Sequence, residues 1–507
     1  MYYGNNARKG IKYIKNARRR VAVKRKCLYI LCLLLATFFI CFYFGCEKNG
    51  NPSDDDAADD DTTDDDAIDD DADDDGPYYD PTWAVPMSVL PEIRGLKVIR
   101  GIVHAHSIYS HDACDNNPVG NEECLAQLRE ALCKTQQNYL MLTDHDDSFA
   151  DNEFPDVLLY RPEEGDALIY DDQDRPFANI LTCPDALTVT IMAGTENDTM
   201  PVHLHQHPPG TIQDRYAVYG RTDPAVADIL RGLGASVFIN HDEGWSIADL
   251  IAFAPDGLEI FNLHAAIDPD IRPLLGLPGL DYIDDVMYFL TDPQNPQPNL
   301  IIMAFWPETQ AWNERWDALL AVQKATGIAA TDVHRNALPF NLSDGERADG
   351  YRRMMQFFSN HLLVEDEDPS SIEYALDHGR AYAAFEFLGF PFGFDFYAKE
   401  GDNYYEMGKD VNWKSDLKIF VKCPKAFHID PNGLQPEITC VLIKVDEQGS
   451  TIVAGNQGDI EYAVPGPGAY RVEVHIVPWH LTPWLGSDPN RFIHDYPWIY
   501  ANPIYVK

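Results

Sequence analysis

Positive charge is scarce in this 507-residue chain: 39 Lys and Arg face 81 Asp and Glu, a formal net charge of -42. Ten of the cations fall before residue 27 and fifteen aspartates are packed between Asp54 and Asp75, so these tracts nearly offset and the remainder is itself acidic. A nucleic-acid polymer needs clustered cations to neutralise its phosphates, which argues against such a partner. Cys-x-x-Cys spacing is also missing, which removes the thiolate zinc sites. The acidic tract lacks the ligand spacing of a calcium loop. Ser107 and Ser110 have no distinct base partner, so neither reads as a nucleophile.

What the chain does have begins with an uncharged run, residues 27–44, behind the basic stretch. It reads as a membrane-targeting segment whose N-terminal side stays cytoplasmic, making residues 1–46 a signal or anchor. The run ends in Phe44-Gly45-Cys46. Two outcomes stay open: lipidation of Cys46 after cleavage, although Tyr43 stands where an aliphatic residue is usual, or an uncleaved anchor. Either one displays the remainder outside the inner membrane, in the periplasm or at the cell surface. Residues 47–90 read as an acidic tether and a proline-rich lead-in, since a self-repelling tract cannot bury a core. Six cysteines follow the anchor, enough for three disulfides in an exported chain. Cys423 and Cys440 lie in neighbouring apolar runs and would bridge adjacent strands; the other pairings stay open.

From residue 91 apolar runs alternate with helical patterns. Strands are expected over 96–103, 139–143, 187–193, 235–239, 258–261 and 301–305. Helices are expected over 121–137, 223–233, 312–326, 351–363 and 371–378. Residues 146–187 read as an inserted irregular loop. Repeated strand-helix-strand units give an α/β class, with a mainly parallel sheet or barrel and an active face at its strand C-terminal ends. A first domain over 91–398 and an antiparallel β-sandwich over 399–507 follow, the latter because short strands separated by Gly and Pro take over. Trp479, Trp484, Phe492, Tyr496 and Trp498 would form either a sugar- or lipid-facing surface or a packing layer.

The chemistry sits at the run ends. His104 and His106 alternate on one strand, so both imidazoles point to the same side. Asp144-His145, Glu196, Asn240-His241 and Asp332-Val333-His334 close four later runs. Buried ionisable groups are costly unless paired or metal-bound, and a mixed imidazole and carboxylate set suits zinc, manganese or iron.

In this order, His104-Ala105-His106-Ser107 with Asp112, Leu142-Thr143-Asp144-His145, Gly194-Thr195-Glu196, Asn240-His241 and Thr331-Asp332-Val333-His334 resemble the PHP (polymerase and histidinol phosphatase) superfamily of metal-dependent phosphoesterases. The likeness is to an exported branch with a C-terminal domain. It implies a distorted seven-stranded barrel with two or three divalent metals, zinc or manganese with iron as an alternative. By that resemblance His104, His106, Glu196 and Asp332 hold one metal. Glu196, His241 and either His205 or His203 hold a second, and Asp112, His145 and His334 a third. Asp242 and Glu243 depart from the family's proline after this histidine. The implied activity is hydrolysis of phosphate esters, phosphodiesters above all, by a metal-bound hydroxide. Arg335 would clamp phosphate, and His241 or a water would protonate the leaving group. Expected partners are a phosphorylated small molecule, a lipid headgroup or a glycan-linked phosphate, with the membrane reached through the N-terminal lipid or anchor, no nucleic-acid polymer, and a monomeric state. A metal-containing module that binds glycan or lipid, or another hydrolysis at the same site, stay open as alternatives.

Overall fold

Near-continuous apolar runs, rather than alternating ones, mark strands covered on both faces. Strand β1 (Lys97–Ala105) is such a run, buried from Val98 to Ala105. The computed structural model describes residues 78–507 apart from 116–119 and 308–309. The apolar run, Cys46 and the acidic tract therefore lie outside the described residues. After β1 come β2 (Tyr139–Met141), β3 (Asp144–His145), β4 (Ala167–Tyr170), β5 (Pro176–Thr182), β6 (Thr188–Met192) and β7 (Thr195–Glu196). They are followed by β8 (Met200–Val202), β9 (Ser236–Ile239), β10 (Gly257–Asn262), β11 (Thr326–Val333), β12 (Ser359–Val364) and β13 (Ala381–Ala384).

The fold is mixed α/β, with one large sheet and several small ones. Strands β6, β2, β1, β11, β10 and β9 pair in that order, all parallel. Antiparallel β8 lies beyond β9, and the β4–β5 hairpin extends the sheet beyond β6. Among the described residues this ladder runs open from β4 to β8. Leu204 N nevertheless donates to Ala193 O at 2.7 Å, so the chain leaving β8 meets the chain leaving β6. Strand alternation divides the interior into two cores. Ile99, Val103, Tyr139, Met141, Phe238 and Ile328 fill one. Val98, Ile102, Leu140, Ile191, Val237 and Leu258 belong to the other, beneath the helices. The helix Glu122–Lys134 shows why the local sequence folds as it does. Asn121 accepts a hydrogen bond from Cys124 N, Glu122 and Glu123 occupy the positive first turn, and Leu125, Leu128 and Leu132 are buried at helical spacing.

Three expectations are corrected. Residues 301–305, expected as a strand, form the short helix Ile302–Phe305. The helix expected over 351–363 stops at Phe357, and Ser359–Val364 becomes β12, antiparallel to β1. The segment 146–187 is not all irregular, because it contains the β4–β5 hairpin. The lead-in also enters the fold: Val85 and Met87 are buried, and Pro81 O accepts from the side-chain amides of Asn299 and Gln356.

Beyond residue 390 the strands pair antiparallel, except that the two-residue strand Asp410–Val411 runs parallel to Tyr496–Val506. Asn403–Glu406, Asp395–Glu400, Lys418–Lys422 and Ile460–Ala463 make a four-stranded sheet. Gly449–Asn456, Glu437–Asp446, Gly468–Val477 and Tyr496–Val506 make the facing layer. The last of these also pairs with β13, so the large sheet runs without interruption across the expected boundary at 398. The described residues form one compact unit. The cysteines pair as Cys114–Cys124, Cys133–Cys183 and Cys423–Cys440. The third joins the end of a strand in one sheet to a strand in the other, not two neighbours in one ladder. Trp498, Tyr496 and Phe492 are buried, which makes them packing residues.

His207 ties two surface segments together as a neutral ring. Its Nε2 donates to Asn152 O at 2.8 Å and its Nδ1 accepts from the Tyr219 hydroxyl at 2.9 Å. Burial, reinforced by nearby Arg215, pushes its pKa down from 6.5 to about 4. As pH falls, the unfolded chain takes up this proton first, so the stabilisation is complete above pH 6.5 and is lost as pH approaches 4. The expected loss is on the order of 3 kcal/mol. Urea unfolding at stepped pH should show a weaker dependence over this window in His207→Gln than in the wild type.

Candidate metal centre

The strand ends deliver the ligands. Strand β11 lies between β1 and β10 in the sheet, so Asp332 at its end faces side chains from both neighbours. Its Oδ1 lies 3.3 Å from His104 Nε2 and 3.0 Å from His106 Nε2. Its Oδ2 lies 3.0 Å from both His241 Nε2 and His264 Nδ1. Glu196 closes the other side, 3.4 Å from both His104 Nε2 and His106 Nε2 and 3.3 Å from His145 Nδ1. Asp112 reaches His145 Nε2 at 3.0 Å.

Glycine sets the position of Glu196. A Cβ on Gly194 would lie 2.3 Å from Pro201 O and 2.9 Å from Leu142 O, so only glycine lets the chain pass between those backbones. Three of the site residues adopt a left-handed backbone, His104 at φ 70°, His241 at φ 47° and Asp332 at φ 47°. That conformation is unfavourable for a side chain bearing a Cβ, and the surrounding sheet holds it in place.

A layer of polar partners orients the rings. Glu259, fully buried on β10, accepts from His104 Nδ1 at 2.5 Å, from His241 N at 2.9 Å and from Asn262 Nδ2 at 2.8 Å. Glu243 accepts from His241 Nδ1 at 2.9 Å, and Asn240 Nδ2 donates to Glu196 Oε1 at 2.7 Å. Ser110 Oγ lies 3.0 Å from His106 Nδ1 and donates to Asp112. Ser107 donates to Asp144 from both its N and its Oγ, so Asp144 anchors the loop and stands behind the ligand groups. Asp242 is fully buried, and burial holds its carboxyl well above the usual range.

Within each of three overlapping groups the ligand atoms lie within 4.8 Å of one another: His104, His106, Glu196 and Asp332; His106, Asp112 and His145; and His241, His264 and Asp332. Mixed imidazole and carboxylate donors fit divalent transition metals. Buried His104 Nε2 has no hydrogen-bond partner, as a ligand nitrogen would not. Protonated imidazoles offset the charge of the buried carboxylates. Burial opposes the charged form of His145 and His264, but the Asp112 hydrogen bond lifts the former to about 10 and the field of Asp332 lifts the latter to about 9. Burial likewise opposes ionisation of Asp332 and Glu196, yet facing imidazoles, His104 foremost, hold both low. His334 goes the other way: burial and the charge of His264 bring it to about 4.

The structure thus brings His104, His106, Asp112, His145, Glu196, His241 and Asp332 together. His334 joins at the edge, its Nε2 3.5 Å from His264 Nδ1. His203 and His205 do not join; they belong to a separate group with Glu373, and His264 stands where one of them was expected. Arg335, half-buried beside His334, makes no side-chain hydrogen bond or ion pair among the described residues. Sequence reasoning gave His264 no place among the ligands and missed Glu259. Their signal was a carboxylate inside an apolar run, followed by Asn262-Leu263-His264, which repeats the Asn-then-His pattern at residues 240–241.

No family model and no curated protein matches this sequence. Among solved structures, one match is a two-domain protein from Bacteroides vulgatus ATCC 8482 described as containing a predicted PHP-like metal-dependent phosphoesterase. Identity is 12%, the TM-score 0.28, and the match covers 80% of this chain and 96% of that one.

Replacing Glu259 with Gln removes the acceptor that fixes both His104 and the His241 backbone. Metal affinity should fall roughly 10- to 100-fold, measured by competition with a chelator. Unchanged affinity would mean that the rings are fixed without it.

Proposed function

We propose that the chain is a metal-dependent phosphoesterase, acting on phosphodiesters in preference to monoesters, with the strand-end cluster as its active site. The observation that carries this reading is the sharing of Asp332 and His106 among overlapping ligand groups, an arrangement suited to neighbouring cations rather than one structural ion. His104, His106, Glu196 and Asp332 would hold one ion, His241, His264 and Asp332 a second, and His106, Asp112 and His145 a third. Divalent cations bound there would acidify a water and neutralise charge on phosphoryl oxygens.

The chain's own residues supply the rest. Buried Asp332 and Glu196 hold negative charge in the cavity, so binding of an anionic ester should depend on cation loading. Unpaired Arg335 supports a role as a phosphate clamp, since a guanidinium can make two charge-assisted hydrogen bonds to an oxyanion. His241 has Nδ1 engaged by Glu243 and Nε2 by Asp332, which favours ligation over proton transfer. Exposed His111 stacks on His145 at 4.6 Å and pairs with Asp147, so it is placed to hold a proton for a departing alkoxide.

The three cysteine pairs support an oxidising compartment, in line with export. Among the described residues no helix is long and apolar enough to cross a membrane, so any anchor is assigned to the N-terminal run. A phosphorylated small molecule, a lipid headgroup and a glycan-linked phosphate remain the proposed substrates.

The test is to load the purified chain with zinc or manganese and assay aryl phosphodiesters, aryl monoesters and lipid headgroup esters. Activity should appear with metal and fall by more than about 100-fold in Asp332→Asn, because that one carboxylate serves two ligand groups. A metal-loaded protein inactive on every ester, or an Asp332→Asn variant of wild-type rate, would sink the phosphoesterase reading.

A further inference from the structure

A second group of ligating side chains shares no residue with the centre around Asp332. It forms where the chain leaves β8, beside the helix Pro369–Asp377 and the turn after β4. Candidate ligand atoms of His203, His205 and Glu373 lie within 4.8 Å of one another. Glu373 Oε1 is 2.9 Å from His205 Nε2 and 3.8 Å from His203 Nδ1. Tetrahedral bonds of about 2.0–2.1 Å place donor atoms about 3.3 Å apart, within the span of these separations.

The outer faces of both rings are already committed. His203 Nε2 lies 2.8 Å from Asp377 Oδ1, which also accepts from Ser236 Oγ at 2.6 Å. His205 Nδ1 lies 3.5 Å from Asp171 Oδ2, and Asp171 is itself held by Arg175 and by the backbone N of Gln173. A carboxylate on the outer nitrogen fixes the tautomer that presents the inner nitrogen to a metal, as Glu259 and Glu243 do for His104 and His241. The inner Nδ1 of His203 is buried, the residue only 2% exposed, and it has no hydrogen-bond partner.

The site is built on rigid surroundings. Phe177 stacks on the His205 ring at 4.4 Å. Gly234 lies against the same ring, where a Cβ would come within 2.7 Å of Cδ2. His203 also has a left-handed backbone, at φ 45°, as do His104, His241 and Asp332.

We propose that His203 Nδ1, His205 Nε2 and the Glu373 carboxylate bind one zinc-class divalent ion, completed by water, that clips the β4–β5 hairpin, the end of β8 and the helix Pro369–Asp377 together. This ion is structural and independent of the centre around Asp332.

The experiment strips the full chain with a chelator and titrates it with zinc alone, counting bound ions per chain. Glu373→Gln and His205→Gln should each bind one equivalent fewer than the wild type, and added zinc should raise their unfolding midpoint less. Circular dichroism identifies any variant that fails to fold. The comparison is repeated in an Asp332→Asn background, where introducing Glu373→Gln should still remove one equivalent. Cobalt substituted for zinc should give a tetrahedral visible spectrum in Asp332→Asn that is lost in the double variant. Equal zinc stoichiometry with and without Glu373→Gln in both backgrounds would overturn the proposal and leave these contacts as ion pairs.

Discussion

One buried carboxylate, Asp332, faces four imidazoles, and the rest of the site follows from its need for compensation. Removing a carboxylate from water costs several kcal/mol unless positive charge returns to it. His104 and His106 supply it from β1, and His241 and His264 from the ends of β9 and β10. The parallel order β1-β11-β10 is what permits this, since it places the end of β11 between the strands that carry its partners. In a hairpin arrangement adjacent strand ends would alternate in direction, and these groups would not meet.

Behind the ligands stands a layer in which two members are each tied to more than one group. Glu259 connects His104 with the backbone of His241, and Ser110 connects His106 with Asp112. Ring orientation is therefore set before any cation arrives. The same logic recurs around His203 and His205, where Asp377 and Asp171 take the outer nitrogens. Both constellations gather where the chain leaves the ends of strands, so the sheet fixes where each of these segments begins.

Much of this was legible in the chain because parallel strands bury both faces, so a charged residue closing an apolar run stands out. His104, His106, Glu196, His241 and Asp332 were visible for that reason. His264 was not, because it lies in the five-residue helix Leu263–Ile267 that begins directly after β10. His203 and His205 were drawn to the centre around Asp332 by a family-like spacing of histidines and glycine, but spacing in a segment beyond the end of β8 does not fix which neighbours that segment meets. Residues 301–305 and 359–363 were misassigned because a short apolar run suits a buried strand and a buried helix equally well. The continuity of the sheet from β13 into Tyr496–Val506 is a long-range pairing with no local signature.

The left-handed backbone at His104, His241 and Asp332 sets the fold against its own chemistry. Each such position costs roughly 1–3 kcal/mol that glycine would largely recover, at the loss of a ligand. Selection for thermal robustness alone would push these positions toward glycine or asparagine. A sequence that keeps histidine and aspartate there preserves the ligand cluster against that drift, so heat-resistant variants of this chain should be checked at these sites before their gain is attributed to packing.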